Sequence, residues 1–218
     1  MSMKQILFNT EMVRAILEER KSCTRRIIKP QQLVGLLPDK CRNGVPEEFL
    51  KEKKFMFKPY CDMTDIELIN TAYKAPYHPG DILYVRETWH KYLKRVGNGG
   101  NCRLQEFYGY RASIANSEDA EEPWKPSLHM PKEAARLFLR VTNVRVERLQ
   151  EITTNQIEQE GVETEYPHVL NGEEKKYAFQ NLWNSTIKKS DLDFYGWDAN
   201  PYVWVIEFER CEKPGSEV

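Results

Sequence analysis

Hydrophobic and polar positions in the first 30 residues predict a strand, a helix and a second strand. The run Ile6 to Asn9 is largely apolar, and Thr10 then precedes a segment whose apolar residues recur at helical spacing. That spacing ends near Arg20, after which residues 23–28 are again typical of a strand. We therefore expect a short turn near Lys21 between the helix and the second strand.

Three later segments carry the strongest strand patterns. Residues 82–89 follow the turn residues Pro79-Gly80-Asp81 and are largely apolar, and residues 136–149 alternate with a change of phase near Asn143, which predicts a bulge or turn. A further strand is expected near residues 105–111. The most regular alternation lies in residues 202–209 and predicts one inward face, formed by Tyr202, Trp204, Ile206 and Phe208.

Helix signals surround the last two strand patterns. Thr153 and Gln156 have the spacing of a capping box, and Gly161 suits the left-handed position after the last helical turn. A second helix is expected over residues 174–187. Short helices are also predicted near residues 46–54 and 64–72.

This order of elements predicts an α+β fold. Strands separated by short helices without regular strand-helix-strand alternation favour a mixed, mostly antiparallel sheet or small β-barrel with helices at its ends. Because the first and last strand patterns flank the others, we expect a single domain over residues 1–218. Insertions are expected near residues 31–78, 91–127 and 163–200.

Composition narrows the classes of function. The net charge is −1, which argues against a protein whose whole surface binds phosphate. The five cysteines include no CxxC pair and the four histidines are scattered, so we expect no metal and no cofactor. No apolar run is long enough to span a membrane, and a cytoplasmic location is expected.

Charge is nevertheless segregated along the chain. Residues 20–29 hold five cations and no acid, whereas residues 149–174 hold seven glutamates and no lysine or arginine. Glu160 is expected at the end of a helix, where the helix dipole disfavours a carboxylate. We therefore expect Glu160 to be either solvent-exposed or paired with a cation, and a lysine from residues 20–29 is one candidate.

Lys21 and Thr24 suggest a catalytic role for the basic segment. A lysine three residues before a hydroxyl can act as its base if a turn brings both side chains together. The alternative, which the pattern favours more, is a basic turn that binds phosphate or is simply solvated.

The same segment resembles a family signature. Residues 19–26 are similar to the Gly-x-Lys-Thr-x-Thr-x-Arg pattern of the ASCH family, residues 79–85 to its Gly-Asp strand, and residues 141–161 to the strand and helix that carry its acidic residue. The resemblance extends over the chain to longer ASCH-like proteins of bacteriophages and prophages. It implies a PUA-like β-barrel and a link to RNA.

The resemblance also implies roles for individual residues. Small bacterial ASCH enzymes hydrolyse N4-acetylcytidine, and by motif their functional residues correspond to Lys21 as base, Thr24 as nucleophile or water-positioning group, and Glu160 as proton shuttle. Glu19 and Ser22 depart from the signature, where the family has glycine and threonine. Further residues are expected to bind substrate: Arg20, Arg25, Arg26, Arg86, Glu87 and Trp89.

Three functions follow as expectations. The first is an amidohydrolase that acts on an N4-acylated cytidine, and the second is a non-catalytic reader of RNA or of a modified base. The third is a phage accessory protein that contacts another protein. The expected partner in the first two cases is RNA or a modified nucleoside.

Overall fold

A computed structural model describes residues 3–29, 73–98, 102–113, 123–164 and 173–215. The helices predicted near residues 46–54 and 64–72, and most of the insertion predicted at 31–78, lie outside the described residues.

The described residues form a mixed α/β fold with a five-stranded sheet and a two-stranded ribbon. In chain order the elements are β1 (Met3–Leu7), α1 (Thr10–Leu17), β2 (Cys23–Ile27), β3 (Ile82–Arg86), β4 (Trp89–Val96), β5 (Arg103–Tyr110), β6 (Phe138–Arg148), α2 (Thr154–Gln159), α3 (Glu173–Ser185), α4 (Leu192–Tyr195) and β7 (Tyr202–Cys211). The sheet has the order β1-β3-β6-β7-β2, and β4 and β5 form the ribbon. Strand β1 is parallel to β3, whereas the β3–β6, β2–β7 and β4–β5 pairs are antiparallel. The described strands do not form a closed barrel.

The chain divides into two compact units. The first unit comprises Met1–Ser22, Gly80–Val141 and Phe208–Val218, and the second comprises Cys23–Pro79 and Thr142–Glu207. One apolar cluster of the first unit contains Ile82, Trp89, Met130, Ala134, Ala135 and Phe138. In the second unit, apolar residues of α2, α3, β7 and the segment between β6 and α2 pack together: Leu149, Ile152, Ile157, Phe179, Trp183, Val203 and Val205. The prediction of a single domain with insertions stays a prediction.

The first helix begins and ends differently from its sequence prediction. Asn9, not Thr10, is the N-cap, and its side chain accepts a hydrogen bond from the Met12 backbone N–H at 2.8 Å. The preceding strand ends at Leu7, so Phe8 and Asn9 lie beyond it. Helix α1 ends at Leu17, before the predicted limit near Arg20, and the chain then turns through Glu19, whose φ is 61°.

The strand predicted over residues 82–89 is two strands. Strand β3 ends at Arg86 and β4 starts at Trp89, where the chain leaves the sheet for the ribbon. The Glu87 backbone N–H is directed to the Met130 sulfur at 3.2 Å rather than to a neighbouring strand. The sequence shows one uninterrupted apolar run because residues on both sides of the break between β3 and β4 are buried.

Burial along β6 and β7 reflects their different surroundings. In β6 the buried positions change phase between Val141 and Val146, as the predicted change near Asn143 suggested. In β7 the prediction of one inward face was wrong for the first half, because Val203 and Val205 are also buried. A strand covered on both faces carries apolar residues at consecutive positions.

Candidate functional site

A buried polar cluster lies in the second unit between strand β2 and helix α2. The predicted capping box of α2 is confirmed: the Thr153 hydroxyl accepts from the Gln156 N–H at 3.3 Å, and the Gln156 side chain accepts from the Thr153 N–H at 2.9 Å. At the other end Glu160 is the C-cap, and Gly161 follows with φ 76°, as predicted. These local signals set the start of α2 and place Glu160 at its carboxyl end.

Arg25 is the centre of this cluster. Its Nη1 donates to Glu160 Oε1 at 3.2 Å, and its Nη2 donates to Glu147 Oε2 and Gln156 Oε1, both at 3.1 Å. The Arg25 side chain is 1% exposed and that of Glu160 is 5% exposed. Cys23, two residues before Arg25 on the same strand, directs its thiol to the Gln156 carbonyl at 3.8 Å. Charge-assisted hydrogen bonds of this kind fix a carboxylate in a defined position.

Glu160 therefore has a cationic partner from the basic segment, namely Arg25. The guanidinium offsets two costs, the burial of a charged carboxylate and its place at the negative end of α2. Arg26 also interacts electrostatically with the Glu160 carboxylate. Burial lowers the pKa of the Arg26 guanidinium from its ordinary value, while Glu160 and Tyr77 act to raise it.

Thr24 is buried in the same strand. It is in register with Ile206 of β7, between Cys23 and Arg25, whose side chains face α2. Because side chains alternate along a strand, Thr24 projects from the face of β2 opposite to Arg25. The structure thus gives Thr24 a fixed, enclosed position.

Lys21 and Arg20 belong to the first unit. Lys21 is buried, its backbone N–H donates to the Ala15 carbonyl at 3.0 Å, and its ammonium lies 5.6 Å from the centre of the Phe8 ring. Arg20 is half-exposed and forms an ion pair with Glu18. Their assignments as base and substrate-binding residue stay predictions.

Arg86 and Glu87 also lie in the first unit, at the end of β3. Arg86 donates from Nη1 to Gln5 Oε1 at 2.6 Å and from Nη2 to the Leu128 carbonyl. Glu87 is fully buried and forms a two-bond ion pair with Arg136, with both distances 2.9 Å. None of the described contacts of Glu87 is with another predicted site residue.

Trp89 is a core residue of the first unit. Its ring packs 5.8 Å from that of Tyr108, centre to centre, and the Lys125 ammonium lies 5.2 Å from its centre. With 4% of its surface exposed, it takes part in the apolar cluster around Met130. The role of Trp89 in substrate binding stays a prediction.

Sequence reasoning missed three partners of the buried charges. Glu147 and Gln156 complete the contacts of Arg25, and Arg136 completes those of Glu87. Glu147 lies on β6 next to the buried Val146, so strand alternation gave no signal for it. The sequence identifies Gln156 only as a capping residue, although its carboxamide oxygen accepts hydrogen bonds from both the Thr153 N–H and Arg25.

The described residues contain neither a metal-binding cluster nor a helix that could span a membrane. Among the described residues, no group of three or more histidine, cysteine, aspartate or glutamate side chains could hold a metal ion. No helix in the described ranges has the length and apolar character needed to cross a membrane.

Comparison with known proteins gives no relative. The chain has no significant match to a protein-family model, to a curated protein or to a solved structure.

Proposed function

We propose that this chain binds a modified nucleoside, free or within RNA, next to strand β2 and hydrolyses the amide of an N4-acylated cytidine. The supporting observation is the carboxylate of Glu160, buried at the end of α2 and bound to Arg25 at 3.2 Å. The resemblance to the ASCH family, and with it a PUA-like barrel, belongs to the same proposal.

The chemistry requires a proton to move from the attacking group to the leaving group. Water adds to the acyl carbon, because the Thr24 side chain lies on the face of β2 opposite to Arg25 and Glu160. The bond from that carbon to the exocyclic nitrogen breaks, the acyl group leaves as the free acid, and the nitrogen takes a proton and leaves as the amine of cytidine. A carboxylate with a fixed position can accept the first proton and return it to the departing nitrogen. Glu160 has that fixed position because Arg25 and the end of α2 define it.

A purely structural ion pair is the competing explanation, and Glu147 provides the matched control. Glu147 and Glu160 contact the same guanidinium at 3.1 and 3.2 Å. If both carboxylates only balance the charge of Arg25, then Glu147→Gln and Glu160→Gln should have similar effects. If Glu160 transfers the proton, only Glu160→Gln should abolish turnover.

The test is release of acetate from N4-acetylcytidine by the purified chain. We expect turnover by the unaltered chain and by Glu147→Gln, and loss of at least about 100-fold with Glu160→Gln, since general acid-base catalysis contributes that much. Thr24→Val, which removes the hydroxyl, should retain turnover, whereas loss of turnover in Thr24→Val but not in Thr24→Ser would assign the attack to Thr24. Circular dichroism and thermal unfolding establish that each variant is folded. Absence of acetate release across a panel of N4-acylated cytidines would refute the proposal.

A second candidate is recognition of RNA or a modified base without catalysis. The observation that favours it is a cation next to a ring in the second unit: the Lys29 ammonium lies 4.6 Å from the centre of the Tyr195 ring. Such a pair can contact a phosphate and a base together. This function predicts binding that weakens steeply with salt and persists in Thr24→Val.

A further inference from the structure

The ribbon of β4 and β5 extends beyond the apolar cluster of the first unit. Residues 92–95 of β4 and 103–106 of β5 are all exposed, so both faces of this half of the ribbon are accessible. On one face of this half Tyr92 is 37% exposed, and on the other face Leu93 and Leu104 are 65% and 61% exposed. A two-stranded ribbon is only marginally stable by itself in water. Exposed apolar and aromatic residues on such an element indicate a binding surface.

Register assigns each side chain to one of two faces. Directly opposed residues of an antiparallel pair share a face, and successive residues alternate between faces. Tyr92 is opposite Phe107, and Leu93 is opposite Glu106. We name the first of these the aromatic face; its members are His90, Tyr92, Lys94, Val96, Arg103, Gln105, Phe107 and Gly109.

Aromatic rings form a continuous series on this face. The ring centres of Trp124 and His90 are 4.5 Å apart, those of His90 and Tyr92 are 5.5 Å apart, and those of Tyr92 and Phe107 are 5.8 Å apart. The last pair is stacked, with an interplanar angle of 26°. His90 is buried and Tyr92 is 37% exposed, so the series starts within the first unit and ends at solvent.

The charges of the aromatic face are all positive. Lys94 and Arg103 are exposed and have no ion pair or hydrogen bond within the described part of the chain. The ribbon has one carboxylate, Glu106, and it lies on the opposite face, bound to Lys91 at 2.6 Å. Lys94 is two residues from Tyr92, about 7 Å along the strand. A group that stacks on Tyr92 therefore has a cation close to it.

We propose that the aromatic face of the β4–β5 ribbon binds a single-stranded nucleic acid. Unpaired bases stack on Tyr92 and Phe107, and the adjoining phosphates bind Lys94 and Arg103. Stacking rings flanked by unpaired cations match the two repeating groups of such a strand, whereas an acidic protein segment would use the cations alone. This inference does not rest on the chemistry proposed for Glu160.

The test measures fluorescence anisotropy of a labelled oligouridylate of about twelve nucleotides with the full chain and its variants, over a range of salt concentrations. Tyr92→Leu and Phe107→Leu should each weaken binding about tenfold, because each variant removes the stacking of one base. Lys94→Gln should lower the slope of log affinity against log salt by about 0.7. Arg95→Gln is the matched control, since it removes the same charge from the adjacent residue on the opposite face, and it should leave the slope unchanged.

Several results would overturn the proposal. These are no binding at low salt, equal slopes for Lys94→Gln and Arg95→Gln, equal affinity for a duplex of the same length, or displacement of the oligonucleotide by polyglutamate at equal charge. Unchanged binding by Glu160→Gln is expected, and it separates this surface from the proposed hydrolytic site.

Discussion

Glu19 holds a backbone conformation that usually belongs to glycine. Its φ is 61°, and it follows α1 at the position where the chain reverses. The next two backbone N–H groups, of Arg20 and Lys21, donate to the Ala15 carbonyl at 2.9 and 3.0 Å. The turn before Lys21 is therefore the left-handed helix stop expected of glycine, retained by a glutamate at a cost in free energy.

Replacing Glu19 with glycine should relieve that cost. We expect Glu19→Gly to raise the free energy of unfolding by up to about 1 kcal/mol, because glycine adopts positive φ without a Cβ clash. Urea denaturation measures the change, and Glu18→Gly is the control. Glu18 has φ −88°, so glycine there should destabilise the chain. A Glu19→Gly variant that is less stable than the unaltered chain would contradict this account.

Position 109 requires glycine because of its cross-strand partner, His90. A Cβ at this position would lie 2.0 Å from Nε2 of His90, which is opposite it in the ribbon. The His90 ring is buried and packs against the Trp124 ring at 4.5 Å between centres, so it can move only by breaking that contact. Glycine is thus required here by a close approach of a ring.

Gly109→Ala should destabilise the chain by about 1–3 kcal/mol, the usual cost of overpacking. Thermal and urea unfolding measure the loss, and the double variant His90→Ala, Gly109→Ala tests its cause. Removing the ring should make the alanine nearly neutral relative to His90→Ala alone. Equal effects of the alanine with and without the ring would show that the clash is not the reason.

At the scale of an element, the capping box of helix α2 is connected to the candidate site through Gln156. The Gln156 carboxamide oxygen accepts from both the Thr153 N–H and the Arg25 guanidinium, at 2.9 and 3.1 Å. Glu160 at the other end of this six-residue helix contacts the same guanidinium. The cap therefore helps to position the carboxylate of Glu160, for which we propose a role in proton transfer.

Loss of the cap should be measurable in stability. Thr153→Ala is expected to lower the free energy of unfolding by about 1 kcal/mol, since the Gln156 N–H loses its acceptor. Thr154→Ala, one residue later and inside the helix, makes the same chemical change without a cap and should be neutral or slightly stabilising. Urea denaturation compares the two, and equal losses would mean that the hydroxyl of Thr153 does not act as a cap.

Local signals also explain how far the fold could be predicted. The α2 cap, the left-handed Gly161 and strand β7 depend on neighbouring residues, and the structure confirms them. The contacts of Arg25 with Glu147 and Gln156 join residues 122 and 131 positions apart, and no local pattern reports them. The second buried face of β7 has the same origin, because it depends on helices that pack there.

For the whole molecule, the balanced charge conceals two cation-rich segments. Residues 1–30 carry a net charge of +4, residues 89–111 carry another +4, and the rest of the chain carries −9. The first segment contains β2, and the second contains the β4–β5 ribbon. Both proposed binding surfaces therefore lie on the positive parts of a chain whose net charge is −1.

Two partly buried groups, Tyr110 and Cys211, make the stability of the folded chain fall at alkaline pH. Burial raises the pKa of Tyr110 and of Cys211 above their ordinary values of 10.0 and 9.0. The folded chain thus holds these protons more tightly than the unfolded chain does. The associated stability is complete below the unfolded pKa of each group and is lost as pH rises through the folded value.

The free energy of unfolding should accordingly fall as the pH is raised from about 8 to about 11. Tyr110→Phe separates two contributions of this side chain. Without the hydroxyl, the hydrogen bond to the Ala134 carbonyl at 2.6 Å is lost, which costs about 1 kcal/mol at neutral pH. The same change removes a group that must ionise at high pH, so the variant should lose less stability than the unaltered chain over this range. Urea denaturation at successive pH values measures both effects. If the free energy of unfolding falls equally with pH in the two proteins, Tyr110 does not contribute to the loss of stability at alkaline pH.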